Sequence, residues 1–197
     1  MAESKKYVRK SFLVHQYEKE EEFLSNIAKE GWHFVKLHKG IPTKYEFVKG
    51  EKIDYIYQLD FVTAEEDTED YHQLFADAAW DEVYSWCGIG GKWYYFRKVQ
   101  SPGEEERIFT DSESKYNMYN KLWKKFGLYL MFSIFLEVSV LIRLIDRITR
   151  VGIVSSEGIF LTVLSCMFIC FITLFIYAIT GIIIEKNKIK RRLDAML

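Results

Sequence analysis

From Ile159 to Ile184 the chain runs for 26 residues without a charge, whereas about 20 apolar helical residues already cross the hydrocarbon layer of a bilayer. Such a stretch reads as a transmembrane helix. A second stretch, Phe126 to Ile145, is interrupted by Glu137 and Arg143 but opens with FGLYLMFSIFL. Taken alone it could be a buried or interfacial amphipathic helix. The short connection 146–158 and the strong neighbour favour a hairpin of two spans.

Basic residues give this hairpin a direction. Lys115, Lys121, Lys124 and Lys125 precede it, and Lys186, Lys188, Lys190, Arg191 and Arg192 follow it. Only Arg143, Arg147 and Arg150 lie around the connecting loop. Cytoplasmic flanks collect lysine and arginine, so both termini are expected in the cytoplasm of a multi-pass cell-membrane protein. MAESKKYVRK has no apolar core after it and does not read as a signal peptide, so the first hundred residues are expected to stay where they are made. Trp123 and Tyr119 fit an aromatic belt, and Tyr116, Tyr119, Trp123 and Phe126 recur at helical spacing in a juxtamembrane stalk. Thr110 and Glu113 are placed as its capping box, and QSPGEEER reads as the boundary before it. The expected division is 1–100 soluble domain, 101–125 linker and amphipathic helix, 126–185 spans and 186–197 basic tail.

The soluble part repeats itself at an offset of 48 residues. Without a gap, Phe23 meets Tyr71, Ile27 meets Phe75, Trp32 meets Trp80, Val35 meets Val83, Gly40 meets Gly88, Tyr45 meets Trp93 and Phe47 meets Tyr95. Each unit reads as strand, helix, strand, strand, the last two forming a hairpin. The expected class is α+β: a duplicated unit forming an antiparallel sheet with two helices on one face, ferredoxin-like in kind, followed by the transmembrane hairpin. Trp32 and Trp80 fall where each helix hands over to its next strand. Residues two apart on a strand share a side, so Tyr45, Phe47, Trp93 and Tyr95 form one candidate surface. It would serve as a dimer interface, as a dock for the stalk, or as a pocket for an aromatic or cationic ligand.

Catalytic patterns are missing. The histidines at 15, 33, 38 and 72 are scattered, GIGG at 88–91 is a turn followed by a strand, and the acidic runs EKEEEF and TAEEDTED fall at helix starts, where the helix dipole favours negative charge. Cys87, Cys166 and Cys170 are too scattered for a disulfide framework and read as reduced packing residues. A net charge of -1 supplies no broad basic field, so nucleic acid is not expected. The chain is expected not to be an enzyme and to need no cofactor or metal.

In the second span, Thr162, Cys166, Cys170, Thr173, Tyr177 and Gly181 form a small, polar stripe suited to close helix packing. Ser133 and Glu137 in the first span are expected to face that stripe, or the same residues of another copy, because a mid-span carboxyl needs partners. Glu137 would then be a structural contact, or the working residue of a small oligomeric transport component.

YEFVKGEKIDYIYQLDF, LFADAAW and GGKWYYFRK resemble the hallmark stretches of a bacterial family of unknown function, number 2812 of its kind, over roughly residues 5 to 98. Its members often carry C-terminal membrane helices and are commonly found beside PadR-like repressors and transport genes. The resemblance implies regulation, or a response to membrane-active compounds, and carries over no catalytic residue. Membrane lipids, and a protein partner or a second copy of the chain, are the partners expected of such a membrane-anchored cytoplasmic binding or regulatory module.

Overall fold

A computed structural model of the chain describes residues 4–88, 90–100, 112–151 and 155–194. Thr110, most of QSPGEEER and the centre of the GIGG turn lie outside the described residues. Two compact units divide inside a long helix, at residues 118 and 119.

The first unit contains β1 (Lys5–Arg9), α1 (Tyr17–Lys29), β2 (Trp32–His38), β3 (Lys44–Lys49), β4 (Tyr55–Val62), α2 (Glu69–Asp77), β5 (Asp81–Gly88) and β6 (Gly91–Val99). The mixed α+β class and the antiparallel pairing are as expected. The strands form two three-stranded sheets, sheet A ordered β1-β3-β2 and sheet B ordered β4-β6-β5, and not the single sheet anticipated. Helix starts follow local chemistry. Thr68 caps α2 by accepting from the Tyr71 amide at 3.3 Å, with Glu69 and Asp70 in the first turn.

The duplication is real in three dimensions, but its offset drifts. Each second strand carries a bulge, at Val35 in β2 and at Val83 in β5, which keeps the offset of 48 there. Beyond the bulges, Lys36 lies opposite Glu46, while Tyr84 lies opposite Tyr95. Glu46 therefore corresponds to Tyr95, Tyr45 to Tyr94 and Phe47 to Phe96, one residue further along than the ungapped comparison gives. In the first strands, Tyr7 faces Glu46 and Leu59 faces Tyr95, so Tyr7 corresponds to Leu59.

Each sheet has a front, covered by its own helix, and a back. On sheet A, Phe23 of α1 meets Tyr45 edge-on at 5.3 Å between ring centroids. On sheet B, Phe75 of α2 stacks on Phe96 at 3.9 Å, in a cluster with Val62, Trp80 and Tyr94. The front of sheet A packs on the back of sheet B, where Phe34 meets Tyr95 at 5.3 Å and Tyr84 at 5.8 Å. The helix α1 also follows the outer edge of β4: the Leu59 amide donates to Glu21 at 2.8 Å and the Tyr57 amide to Ser25 at 3.1 Å. An edge strand with open amides invites pairing with other chains, and α1 covers this one.

The second unit holds most of α3 (Ser112–Val151) and all of α4 (Ser156–Asp194). Their 40 and 39 residues give rods of about 60 Å, ample for a 30 Å hydrocarbon layer. Both helices are long and apolar enough to cross a membrane. They run antiparallel: Phe126 meets Phe175 at 5.8 Å, Glu137 meets Ser165, and near the loop Arg147 pairs with Glu157 at 2.8 Å. On α4 the buried residues Gly158, Leu161, Ser165, Ile179, Ile182 and Ile189 fall on one seam of threes and fours. That spacing is the seam of a left-handed helical pair.

Candidate functional site

The four aromatic residues singled out in the sequence are all interior. Relative exposures of 2% for Tyr45, 0% for Phe47, 7% for Trp93 and 2% for Tyr95 correct the expectation of an open aromatic face. The two strands belong to different sheets and turn these rings toward one shared interior. Tyr45 and Phe47 project from the front of sheet A. Trp93 and Tyr95 project from the back of sheet B, where Trp93 meets Phe61 at 5.3 Å and Tyr17 at 6.4 Å.

At the centre of this interior lies Glu20. Its Oε1 accepts the Tyr45 hydroxyl at 2.7 Å and the Tyr95 hydroxyl at 2.8 Å. Burial pushes the Glu20 carboxyl above the usual range, against the downward pull of the two phenols. Burial and the neighbouring carboxylate push both phenols upward. Sequence reading missed Glu20 and Glu21, although a signal was present. They fall with Tyr17, Leu24, Ile27 and Ala28 at helical spacing, on the face that α1 buries.

Two polar clusters lie nearer the surface. On the back of sheet A, Glu46 accepts from Lys5 at 2.8 Å and pairs with His38 at 2.7 Å, with Lys36 at 3.9 Å. Hydrogen bonds from Lys5 and His38 lower its carboxyl to about 2. Below α2, Asp67 accepts from Tyr94 and pairs with His72 at 3.0 Å, while the other ring nitrogen of His72 lies 3.2 Å from Glu82. The Tyr94 hydroxyl, followed by burial in the opposite sense and then His72, leaves Asp67 below its ordinary value. Among the described residues, no three of His, Cys, Asp and Glu are grouped to hold a metal ion.

In the hairpin, Glu137 is buried on the α3 seam, facing α4 as expected, and accepts from Ser165 at 2.6 Å. Its other oxygen is buried with no hydrogen-bond partner. Ser133 is half-buried and donates to the Tyr129 carbonyl of its own helix. The expected polar stripe is not the packing face. Cys166, Cys170, Thr173 and Tyr177 are exposed on α4, and Thr162 and Thr173 donate to Gly158 and Ile169 of their own helix. The seam is built mainly of large aliphatic residues, Leu161, Ile179, Ile182 and Ile189, with Gly158 and Ser165 between them, and packs as knobs into holes. Hydroxyls satisfied within their own helix gain little by facing a neighbour. Cys87, Cys166 and Cys170 are free and exposed, not packed.

A family model described as "Protein of unknown function (DUF2812)" matches residues 16–131, from the start of α1 to within α3. No curated protein and no solved structure matches the chain.

Proposed function

Since the chain belongs to the DUF2812 family, whose name assigns no activity, we propose that it is a membrane-anchored binding or regulatory module and not an enzyme. Its N-terminal unit faces the cytoplasm and engages a protein partner. The observation that carries this reading is the outward face of the hairpin. Leu128, Met131, Phe135, Phe160 and Leu174 are each more than 60% exposed on helices whose charges, apart from Arg143 and the buried Glu137, gather at the two ends. Water penalises such a surface by roughly 25 cal/mol per Å², whereas hydrocarbon does not. The family match runs from α1 through the rest of the N-terminal unit into the first span, which favours joint action of the two parts over a passive anchor. The lysines and arginines that flank the hairpin support a cytoplasmic place for both termini.

Fusion of a reporter active only outside the cell after Leu197 tests the topology, and silence is the expected result. A chain truncated before α3 that still binds the partner of the full chain supports the module. The orphan oxygen of Glu137 favours a second reading, a small oligomeric transport component. Loss of the cellular phenotype on Glu137→Gln alone, with partner binding intact, would select it.

A further inference from the structure

The two repeats stack front to back, and among the described residues of the N-terminal unit such a stack ends in two unlike uncovered faces: the back of sheet A and the outer side of α2. We infer that these faces join successive copies of the chain, α2 of one copy docking on the back of sheet A of the next. This goes beyond the anchoring reading and stands independently of any other partner.

The internal junction is the template. At that junction α1 follows the edge of β4 and holds its amides through Glu21 and Ser25. The positions of Glu21 and Ser25 are occupied in α2 by Glu69 and Gln73, both exposed. The strand that corresponds to β4 is β1, likewise at the end of its sheet. Leu59 corresponds to Tyr7, so Glu69 of one copy is brought to Tyr7 of the next. Heterologous contacts of this kind, in which the two surfaces differ, build open chains or closed rings.

Charge separates a joining face from a mere cap. Terminal faces of stacked repeats are usually polar and thereby end the stack. Here the aromatic back of sheet B is replaced on sheet A by charge: Arg9 stands for Phe61, Lys44 for Trp93 and Lys36 for Tyr84. With Lys5, this back bears four cations against one carboxylate, Glu46, and an exposed Tyr7. The outer side of α2 and the loop before it bear Glu65, Glu69, Asp70 and Asp77, all exposed. Like-signed ends would repel, whereas these attract.

The test uses full-length chains in non-ionic detergent, with Cys87, Cys166 and Cys170 replaced by serine. One chain carries Tyr7→Cys, the other Glu69→Cys, and a short thiol crosslinker is added. A mixture should give covalent dimers, neither chain alone should, and a chain with both changes should give a ladder of multimers. Lys36→Glu with Lys44→Glu on the first chain should lower the mixed yield roughly tenfold, equivalent to about 1.4 kcal/mol. Glu65→Lys with Asp70→Lys on the second chain should restore it, which a misfolded variant could not do. Dimers from either chain alone, or no dimers from the mixture, overturn the inference. Mixed dimers that form only after anionic lipid is added overturn it in favour of a lipid surface.

Discussion

Tyr45 and Tyr95 lie in different sheets, yet donate their hydroxyls to the same oxygen of Glu20. One carboxyl thereby ties the two repeats together. Tyr45→Phe and Tyr95→Phe should each destabilise by about 1–3 kcal/mol, the cost of removing one partner from a buried acceptor. Burial raises the carboxyl above its unfolded value near 4.5. Its contribution is therefore fully present below that value and is lost as pH rises through the folded value. Glu20→Gln keeps an acceptor for both phenols without the charge. It should match or exceed the native chain at neutral pH and lose that advantage below about pH 4.5, as read from denaturant midpoints across pH.

Glu46 has the opposite sign. Its carboxyl is lowered from 4.5 to about 2, so its contribution is present above the unfolded value and is lost as pH falls through the folded one. Glu46→Gln should weaken the chain at neutral pH and flatten its acid dependence between those two values. Parallel acid titrations of the two chains would refute this assignment.

Gly31 and Ala79 occupy the same place after α1 and α2, and both adopt left-handed backbone, with φ of 82° and 60°. The first repeat has the residue that this conformation favours and the second does not. Ala79→Gly should raise stability by up to ~1 kcal/mol, and Gly31→Ala should lower it by 1–2 kcal/mol or so, helped by the 3.1 Å approach of a new Cβ to the Gly50 carbonyl. Thermal unfolding of both variants decides; a loss on Ala79→Gly would contradict the strain.

Within the hairpin, cysteines at 137 and 165 should crosslink inside one chain, whereas 137 with 170 or 173 should not. Ser165→Ala removes the hydrogen bond to Glu137 and should cost about 0.6–2 kcal/mol, typical of polar contacts between membrane helices. Efficient 137–170 crosslinking would return the seam to the Cys166–Cys170 side.

Much of this was readable in the chain, and the failures share a cause. The helices, the second strands and their tryptophans follow the 48-residue offset, although only Trp80 is deeply buried. Trp32 is half-covered, with Lys6 and Lys49 over its ring. The last strand slips by one because Tyr45 finds an aromatic partner in either Trp93 or Tyr94, and Phe47 in either Tyr95 or Phe96. Aromatic alternation cannot report a single-residue shift when both faces of β6 are aromatic. One face of β6 is packed by α2 and the other by the first repeat, so both had to be. In α4 the difficulty is similar: a helix that is apolar all round carries no phase, and polarity alone pointed to the wrong side. Glu20 escaped notice inside the run EKEEEF, whose acids all read as the start of a helix, where the dipole favours negative charge.

The covering of β4 by α1 makes the repeats mutually dependent. Cutting the chain between them would uncover two β4 amides and, in the second half, the rings of Tyr95 and Trp93. In the first half, Glu20 would lose one of its two phenols. Neither half retains a closed interior, so the two repeats should unfold together in a single cooperative transition.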